Sequence, residues 1–336
     1  MHFASGLIAR FSPPEHQVMK ARVVIVGSFL QDLAFYTKSF PQPGESVVGE
    51  FRSGPGGKGF NQAVAATRAG APTLFIGAIG HDVFGAGARK FAHEAGVQAH
   101  FVEKKKEPTG TAVININAAG QNQIIVALGA NLTLHKQDVP AAPLQGAQVV
   151  VCQGESDFRT ITHVLRTARK TGATTVLNPA PMRADFDYDL LRHTEVLIPN
   201  EPEFCALMRA LPRSGMRNLA PEDLSRMPAD HMHGLCRALN VPIVIVTLGS
   251  RGCFVSQPDV YTRISPHEVD AVDTTGAGDA FVGGFAAGLV KFNRNVLEAA
   301  HFANAVAALA VTQHGTAAAM PTAREISRFL RKRDHK

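Results

Sequence analysis

Arg22-Val-Val-Ile-Val-Gly-Ser28 is a continuous apolar, β-branched run that ends at a glycine and a serine. Because no polar residue alternates within it, the strand it predicts would be buried on both faces, as in a parallel sheet. Similar runs recur along the chain, at residues 73–79, 147–152, 174–177, 196–198 and 243–248. Helix-like stretches lie between several of them, at residues 61–69, 84–95, 158–171 and 201–211. This alternation predicts an α/β fold with a central, mostly parallel sheet flanked by helices.

One segment and a later pair of segments depart from the alternation of strands and helices, and they predict a second, smaller sheet. Residues 46–52, 110–117 and 122–128 alternate as strands do, with no helix between them. Ala118-Ala-Gly-Gln121 has the composition of a hairpin turn between the last two. We expect a small antiparallel β lid, built from segments within about residues 30–55 and 100–128. Such a sheet, exposed on at least one face, would cover a pocket or form a dimer surface.

The ends of the chain differ in character. Residues 1–20 contain Pro13 and Pro14 and only one short apolar stretch, which predicts a flexible N-terminal extension. Residues 21–336 then form one domain that carries the lid.

Residues 297–311 are rich in alanine and apolar on several faces, as expected of a helix packed in the core.

The composition excludes several classes of partner. Lysine and arginine number 34 against 28 aspartates and glutamates, a net charge of +6, but the surplus is scattered and is not interleaved with aromatic residues. We therefore expect no nucleic-acid partner. No apolar run approaches the roughly 18 residues of a membrane span, so we expect no membrane partner either. The four cysteines lie far apart, which argues against disulfides or a zinc site and favours the cytoplasm.

The densest chemical signal is Val272-Asp-Thr-Thr-Gly-Ala-Gly-Asp-Ala-Phe-Val-Gly-Gly-Phe285. A glycine-rich turn that leads into a helix directs unpaired backbone N–H groups and the positive helix end at one point, where an anion would bind. Asp279, beside that point, could accept a proton from an attacking hydroxyl, a combination suited to phosphoryl transfer. The alternative is a tight turn in which Asp279 merely caps the helix.

A second signal is Gly54-Pro-Gly-Gly-Lys-Gly-Phe-Asn61, just before a helix-like stretch. It is not a P-loop, because Lys58 is followed by glycine instead of serine or threonine. The dinucleotide fingerprint fails too, since Phe281 stands where the third glycine after Gly276 and Gly278 belongs. What remains is a turn where the backbone approaches a ligand, or a hinge between lid and domain.

These motifs and their order resemble the ribokinase-like family of carbohydrate kinases, from Val23 to about Leu330. Eight short elements stand in the family's order. They are Gly27-Ser-x-x-x-Asp32, Pro41-x-Pro-Gly-Glu45, Gly56-Gly-Lys-Gly-x-Asn61, Gly129-Ala-Asn131, Asn178-Pro-Ala-Pro181, Pro199-Asn-Glu201, Thr247-Leu-Gly-Ser-Arg-Gly252 and Asp273-Thr-x-x-Ala-Gly-Asp279. Each is weak alone, but eight in sequence are specific.

The resemblance implies a role for each matching residue. Asp279 is the expected catalytic base, and the amides of Gly276, Ala277 and Gly278 the expected anion hole. The expected sugar-binding residues are Asp32, Gly57, Lys58, Asn61 and Glu155, together with Asp279. The expected residues for the nucleotide, its phosphates and Mg²⁺ are Asn200, Glu203, Thr247, Gly249, Ser250, Gly252, Gly278 and Asn304. The expected K⁺ ligands are Asp273 and the carbonyl groups of Thr275, Ala310, Gln313 and Gly315.

Two positions depart from the family pattern. Leu30 stands where many members have an asparagine that bonds the sugar, so the pocket loses one polar partner and would tolerate a sugar that lacks a hydroxyl. Ala319 stands where the family often has a serine facing the cation, which would remove one K⁺ ligand.

The resemblance implies an ATP-dependent sugar kinase, with Mg²⁺ on the phosphates and K⁺ as activator. The expected reaction is phosphorylation of the terminal hydroxyl of a pentose, with ribose at O5 as the first choice. Deoxyribose, a ketohexose or a nucleoside are alternatives on the same scaffold. An alternative of another class is a sugar- or nucleotide-sensing protein without catalysis. The exposed lid predicts a homodimer through paired lids.

Overall fold

The computed structural model describes residues 21–211 and 219–332. The predicted extension at residues 1–20 lies outside the described residues. A large sheet runs through the molecule, and a smaller one lies beside it. The strands are β1 (Val23–Val26), β2 (Leu30–Tyr36), β3 (Glu50–Gly56), β4 (Thr73–Gly80), β5 (Gln98–Lys104), β6 (Thr111–Ile116), β7 (Asn122–Ala127), β8 (Val149–Gln153), β9 (Thr174–Asn178), β10 (Val196–Leu197), β11 (Ile243–Thr247), β12 (Cys253–Ser256) and β13 (Tyr261–Ile264).

The large sheet has the strand order β13-β12-β11-β10-β9-β8-β1-β4-β5. Its pairings are parallel from β5 to β11 and antiparallel at β11/β12 and β12/β13. This confirms the mostly parallel α/β sheet. Each apolar run quoted above forms a strand of it, and β1 is buried at every position, as its unbroken apolar sequence predicts.

Helices cover both faces of the sheet, and two separate hydrophobic clusters lie beneath them. Each of the four helix-like stretches predicted above forms a helix whose first and last residues lie within a few positions of the predicted ones. The helices are α1 (Lys58–Arg68), α2 (Val83–Glu94), α3 (Ala141–Gly146), α4 (Phe158–Lys170), α5 (Glu201–Ala210), α6 (Pro221–Leu224), α7 (Ala229–Ala238), α8 (Ala277–Lys291), α9 (Val296–Ala310) and α10 (Ala323–Arg331). Within the described ranges, no helix has the length and apolar character needed to cross a membrane.

The smaller sheet has the order β3-β2-β6-β7. Its outer pairs are antiparallel, as expected, and β6 and β7 form the predicted hairpin; the central pair, β2 with β6, is parallel. The lid strand predicted at residues 46–52 is found at Glu50–Gly56. Pro55 suggested a turn, but β3 is an edge strand, where a missing N–H costs no ladder hydrogen bond.

The centre of the molecule is the contact between α1, α8 and α9. Helix α8 is buried from Asp279 to Leu289, and its residues are accordingly apolar on most faces of the helix. Gly283 lets α8 approach α1 closely, since a β-carbon there would lie 2.3 Å from the carbonyl oxygen of Gln62. This contact places the first turn of α8 beside the start of α1, near the carboxyl ends of β1, β8 and β9, where open α/β sheets bind ligands.

Candidate active site

The glycine-rich turn leads into α8 as the sequence predicts. Gly276 precedes the helix with φ of 80°, a left-handed conformation that glycine adopts without strain. The N–H groups of the first turn have no partners within the helix, so this end suits an anion. That of Ala277 donates to the carbonyl of Thr274 at 3.2 Å. Asp279 lies in the same turn and is 7% exposed, which leaves a small opening at its carboxylate.

Two amide side chains of α1 hold the Asp279 carboxylate. Asn61 Nδ2 donates to Asp279 Oδ2 at 2.9 Å, and Gln62 Nε2 donates to Asp279 Oδ1 at 2.9 Å. Gln62 Nε2 also donates to Asn178 Oδ1 at 3.2 Å, and the side-chain oxygen of Gln62, Oε1, accepts from Gln153 Nε2 at 2.6 Å. The carboxylate is therefore fixed in orientation before any substrate binds.

Gln62 is the residue at this site that sequence reasoning missed. It is fully buried, and it follows Asn61 directly in α1. The available signal was a long amide side chain in the middle of an otherwise apolar helical stretch, which needs a partner when buried.

Glu155 and Lys58, both predicted to bind sugar, lie together. Glu155 Oε2 accepts from the backbone N–H of Lys58 at 2.9 Å and from the hydroxyl of Ser28, so this carboxylate also orders the start of α1. Burial raises the pKa of Glu155, and Lys58 opposes the shift. Burial alone would lower the pKa of Lys58, but the surrounding carboxylates, Asp279 and Glu155 foremost, raise it. Lys58 is thus a firmly charged cation.

Asp32 lies on β2 of the lid, facing the body of the protein. Its Oδ2 is 3.1 Å from the hydroxyl of Thr316, a contact the sequence did not suggest. Burial raises the pKa of Asp32 to about 7; the Thr316 hydrogen bond and Lys58 lower it, while Glu155 and Asp279 add to the rise. The carboxyl group therefore changes charge near neutral pH.

A cavity of about 160 Å³ adjoins Asp279. Its walls bring together the predicted base, the anion-hole residues, several predicted phosphate-binding residues and one predicted sugar-binding residue, Lys58. These residues are Lys58, Asn200, Glu203, Thr247, Gly276, Ala277, Gly278 and Asp279. Asn200 and Glu203 cap each other at the start of α5, with Glu203 N to Asn200 Oδ1 at 2.9 Å and Asn200 N to Glu203 Oε2 at 3.0 Å. Burial raises the pKa of Glu203, which the Asn200 N–H and Lys58 oppose.

The donor set of this cavity fits Mg²⁺. That ion is usually held by one or two carboxylates together with waters and substrate phosphates instead of an all-protein cage. Among the described residues, no group of three or more His, Cys, Asp or Glu side chains is placed to hold a metal ion by itself.

A second cavity of about 380 Å³ is mostly apolar and contains four predicted nucleotide-binding residues: Gly249, Ser250, Gly252 and Asn304. Thr247 lines the phosphate cavity instead, because it lies at the end of β11, beside Asn200. Thr274 and Ala277 line both cavities, so a nucleotide could place its base in one and its phosphates in the other. Val269, Ala271 and Ala308, which the sequence did not suggest, complete the apolar wall.

The predicted cation site lies where two loops meet. Asp273 accepts from the backbone N–H of Thr275 at 2.9 Å and from that of Gly315 at 3.0 Å. The carbonyl of Val311, between Ala310 and Gln313, accepts from the N–H groups of residues 272 and 273. Of the predicted ligands, Asp273 is thus brought beside Thr275 and Gly315, and the Ala310 carbonyl accepts from the N–H of Gln313 at 3.3 Å. A carboxylate and backbone carbonyl groups are hard oxygen donors of the kind that suits K⁺. Ala319 is buried and offers no side-chain oxygen.

Comparison with known proteins gives a consistent result. The model of the pfkB family of carbohydrate kinases matches residues 20–323. Ribokinase of Staphylococcus aureus is 34% identical over 318 residues, which cover 92% of this chain and 99% of that protein. Deoxyribokinase of Salmonella typhi is 32% identical over 318 residues, covering 92% of this chain and 98% of that protein.

Solved structures agree with the sequences. Ribokinase of Giardia lamblia superposes with a TM-score of 0.81 at 32% identity, covering 93% of this chain and 99% of that one. Ribokinase of Arabidopsis thaliana, solved with ribose and ATP, gives a TM-score of 0.78 at 28% identity, covering 93% and 99%. Both superpositions cover nearly the whole of this chain, so the two proteins share its fold.

Proposed function

Because the chain belongs to the pfkB family of carbohydrate kinases, we propose that it transfers the γ-phosphoryl group of ATP to the terminal hydroxyl of a pentose, with ribose at O5 as the first candidate. As a member of that family it is a phosphotransferase with an alcohol acceptor. The observation that carries the finer proposal is the position of Asp279. Its carboxylate lies between the predicted sugar residues and a helix end suited to an anion.

In the proposed reaction, Asp279 accepts the proton of the sugar hydroxyl as that oxygen attacks the γ-phosphorus. Asn61 and Gln62 keep the carboxylate oriented, and the amides of the Gly276 turn stabilise the charge on the transferred group. Lys58 adds a positive charge beside the phosphates. Asn200 and Glu203 would hold Mg²⁺, which supplies neutralisation of phosphate charge when bound. Asp273 and the nearby carbonyl groups would hold K⁺, which braces the turn.

Deoxyribose is the second candidate, and Leu30 favours it. Leu30 is 3% exposed and packs with Ala112 and Ile114 in the lid, on the same face as Asp32. An apolar side chain there discriminates little against a sugar that lacks one hydroxyl. The Salmonella relative is named a deoxyribokinase.

We also propose that the lid closes on the sugar and that two lids pair in a homodimer. Aromatic and aliphatic side chains are exposed on its outer face: Phe35, Phe51 and Ile125. A cytoplasmic location is supported by the four cysteines, all free and buried.

A substrate panel tests the proposal. Purified full-length protein is given ATP, Mg²⁺ and one of ribose, deoxyribose, fructose or adenosine, with K⁺ or choline as the monovalent cation. We expect ADP release with ribose that K⁺ accelerates. A kcat/KM for deoxyribose equal to or above that for ribose would select the second candidate. No ADP release with any sugar would favour the non-catalytic alternative.

A further inference from the structure

The hydroxyl of Thr316 contacts two neighbouring strands of the lid, one of which carries Asp32. Its Oγ1 is 3.1 Å from Asp32 Oδ2 and 3.0 Å from the carbonyl oxygen of Pro55 in β3. A hydroxyl has one proton, which it can share between these two acceptors. Thr316 is thus joined at once to a predicted sugar-binding carboxylate and to an edge strand of the lid.

Thr316 also lies beside the turn that begins α8. A β-carbon added to Gly276 would be in ordinary van der Waals contact with Thr316, 3.4 Å from its Cα and 3.5 Å from its Cβ and Cγ2, so the two residues are neighbours. The preceding residue, Gly315, donates its N–H to Asp273 Oδ2 at 3.0 Å. This hydrogen bond attaches the short loop to the 273–276 turn.

Asp32 needs a donor in this position. Its carboxylate faces two others, Glu155 and Asp279, which disfavour its charge. Lys58 acts on it only through charge, and among the side chains of the described residues Thr316 is the one that donates a hydrogen bond to it. A carboxylate that is to accept sugar hydroxyls in a fixed direction must itself be held.

We propose that Thr316 is a positioning residue of the sugar pocket: its hydroxyl orients Asp32 toward the sugar and ties the lid to the turn that carries Asp279. This role rests on the proposed function, since Asp32 is a sugar ligand only if the site binds sugar. It assigns to the 315–316 loop a part in sugar recognition that is distinct from its predicted part in cation binding.

The test uses two substitutions of Thr316 and one matched control in the full-length protein. Thr316→Val removes the hydroxyl and keeps the shape, and Thr316→Ser keeps the hydroxyl. The control is Thr162→Val, which removes a hydroxyl that donates to the Phe158 carbonyl at 2.8 Å on α4. Sugar affinity is measured by calorimetry without ATP, and KM and kcat by ADP release.

We expect Thr316→Val to weaken sugar binding and raise the sugar KM about tenfold, the size of one hydrogen bond to a charged group. The KM for ATP should stay within about twofold, because the nucleotide cavity does not include Thr316. Thr316→Ser should recover most of the affinity, and Thr162→Val should match the wild type. A purely structural role would instead lower thermal stability without this selective change in sugar affinity.

Two results would overturn the inference: a Thr316→Val protein with wild-type sugar affinity, or a Thr316→Ser protein as impaired as Thr316→Val. The first would show that the hydroxyl contributes nothing, and the second that the methyl group matters instead. A wild-type protein that binds and phosphorylates no sugar would remove the proposed function and this role together. Normal phosphorylation by Thr316→Val with an unchanged KM would remove this role alone.

Discussion

Asp32 has a carboxyl group that titrates within the range of an ordinary kinase assay, because burial raises its pKa to about 7. Above that pH it is a carboxylate, which in the proposed site would accept hydrogen bonds from sugar hydroxyls. Below that pH the protonated form is a poorer acceptor. We therefore predict that kcat/KM for the sugar falls about tenfold per pH unit below 7 and levels off above it. A pH profile of kcat/KM for the sugar in the panel with the highest value measures this.

Asp32→Asn is the control for that profile. It should bind sugar more weakly at every pH and should lose the acidic limb, because the titrating group is gone. A wild-type profile that is flat between pH 6 and pH 8 would contradict the assignment.

The sequence predicted most of the polar residues that meet in the candidate site, but not the hydrogen-bond partners that hold their side chains in place. Asp32, Asn61, Glu155 and Asp279 belong to recognisable motifs. Gln62 bonds a partner 217 positions away, and Thr316 one 284 positions away. Such partners depend on how closely two helices or two loops approach, which no local pattern encodes.

Among the secondary-structure elements, the contact between α1 and α8 decides the geometry of the base. We predict that Gly283→Ala lowers kcat at least tenfold and destabilises the protein by about 1–3 kcal/mol, the usual cost of an overpacked core. The added methyl group would clash with the backbone carbonyl oxygen of Gln62 and push α1 away. Asn61 and Gln62 would then no longer hold Asp279. Steady-state kinetics and urea unfolding measure the two effects.

Gly87→Ala is the matched control on a helix surface. Gly87 lies in the exposed face of α2, with no atom within 4 Å of an added β-carbon. It should leave kcat unchanged and stabilise the protein by about 0.5–1 kcal/mol, because alanine favours the helix. Equal behaviour of the two variants would contradict the role of the α1/α8 contact.

The sequence predicted elements well where one periodicity prevailed and less well where it did not. The buried parallel strands and the flanking helices follow from unbroken apolar runs and helical spacing. Residues 30–55 were expected to contribute to the lid, but no strand was predicted at β2 because Gln31 and Asp32 interrupt its apolar pattern. Gln31 donates to the Gly54 carbonyl within the lid, and Asp32 accepts from the Thr316 hydroxyl. The parallel pairing of β2 with β6 joins segments about 80 positions apart, which hairpin signals cannot reveal.

For the whole molecule, the outer face of the lid predicts self-association. Phe35 and Phe51 are directly opposite each other on β2 and β3 and 38% and 56% exposed, and Ile125 on β7 is 69% exposed. We predict that the wild type sediments as a dimer and that the double variant Phe51→Lys with Ile125→Lys sediments as a monomer. Burying charges at the centre of an apolar interface is costly.

Analytical ultracentrifugation measures this prediction, with Val83→Lys as the control. Val83 is 79% exposed at the start of α2, outside the four strands of the lid, and its substitution should leave the dimer intact. A monomeric wild type, or a double variant that remains dimeric, would show that the lids are not the interface.

The proposed reaction depends on Asp279 acting as the base, and Asp279→Asn tests this most directly. The asparagine keeps one of the two hydrogen bonds, because its single carbonyl oxygen can accept from Asn61 or from Gln62 while its NH2 group takes the place of the other oxygen. It cannot take a proton. Single-turnover phosphorylation of the panel's preferred sugar, with sugar affinity measured by calorimetry on the same preparation, is the measurement. We predict a rate at least about a thousandfold below that of the wild type, with sugar affinity within about threefold. A rate within tenfold of the wild type would contradict the claim.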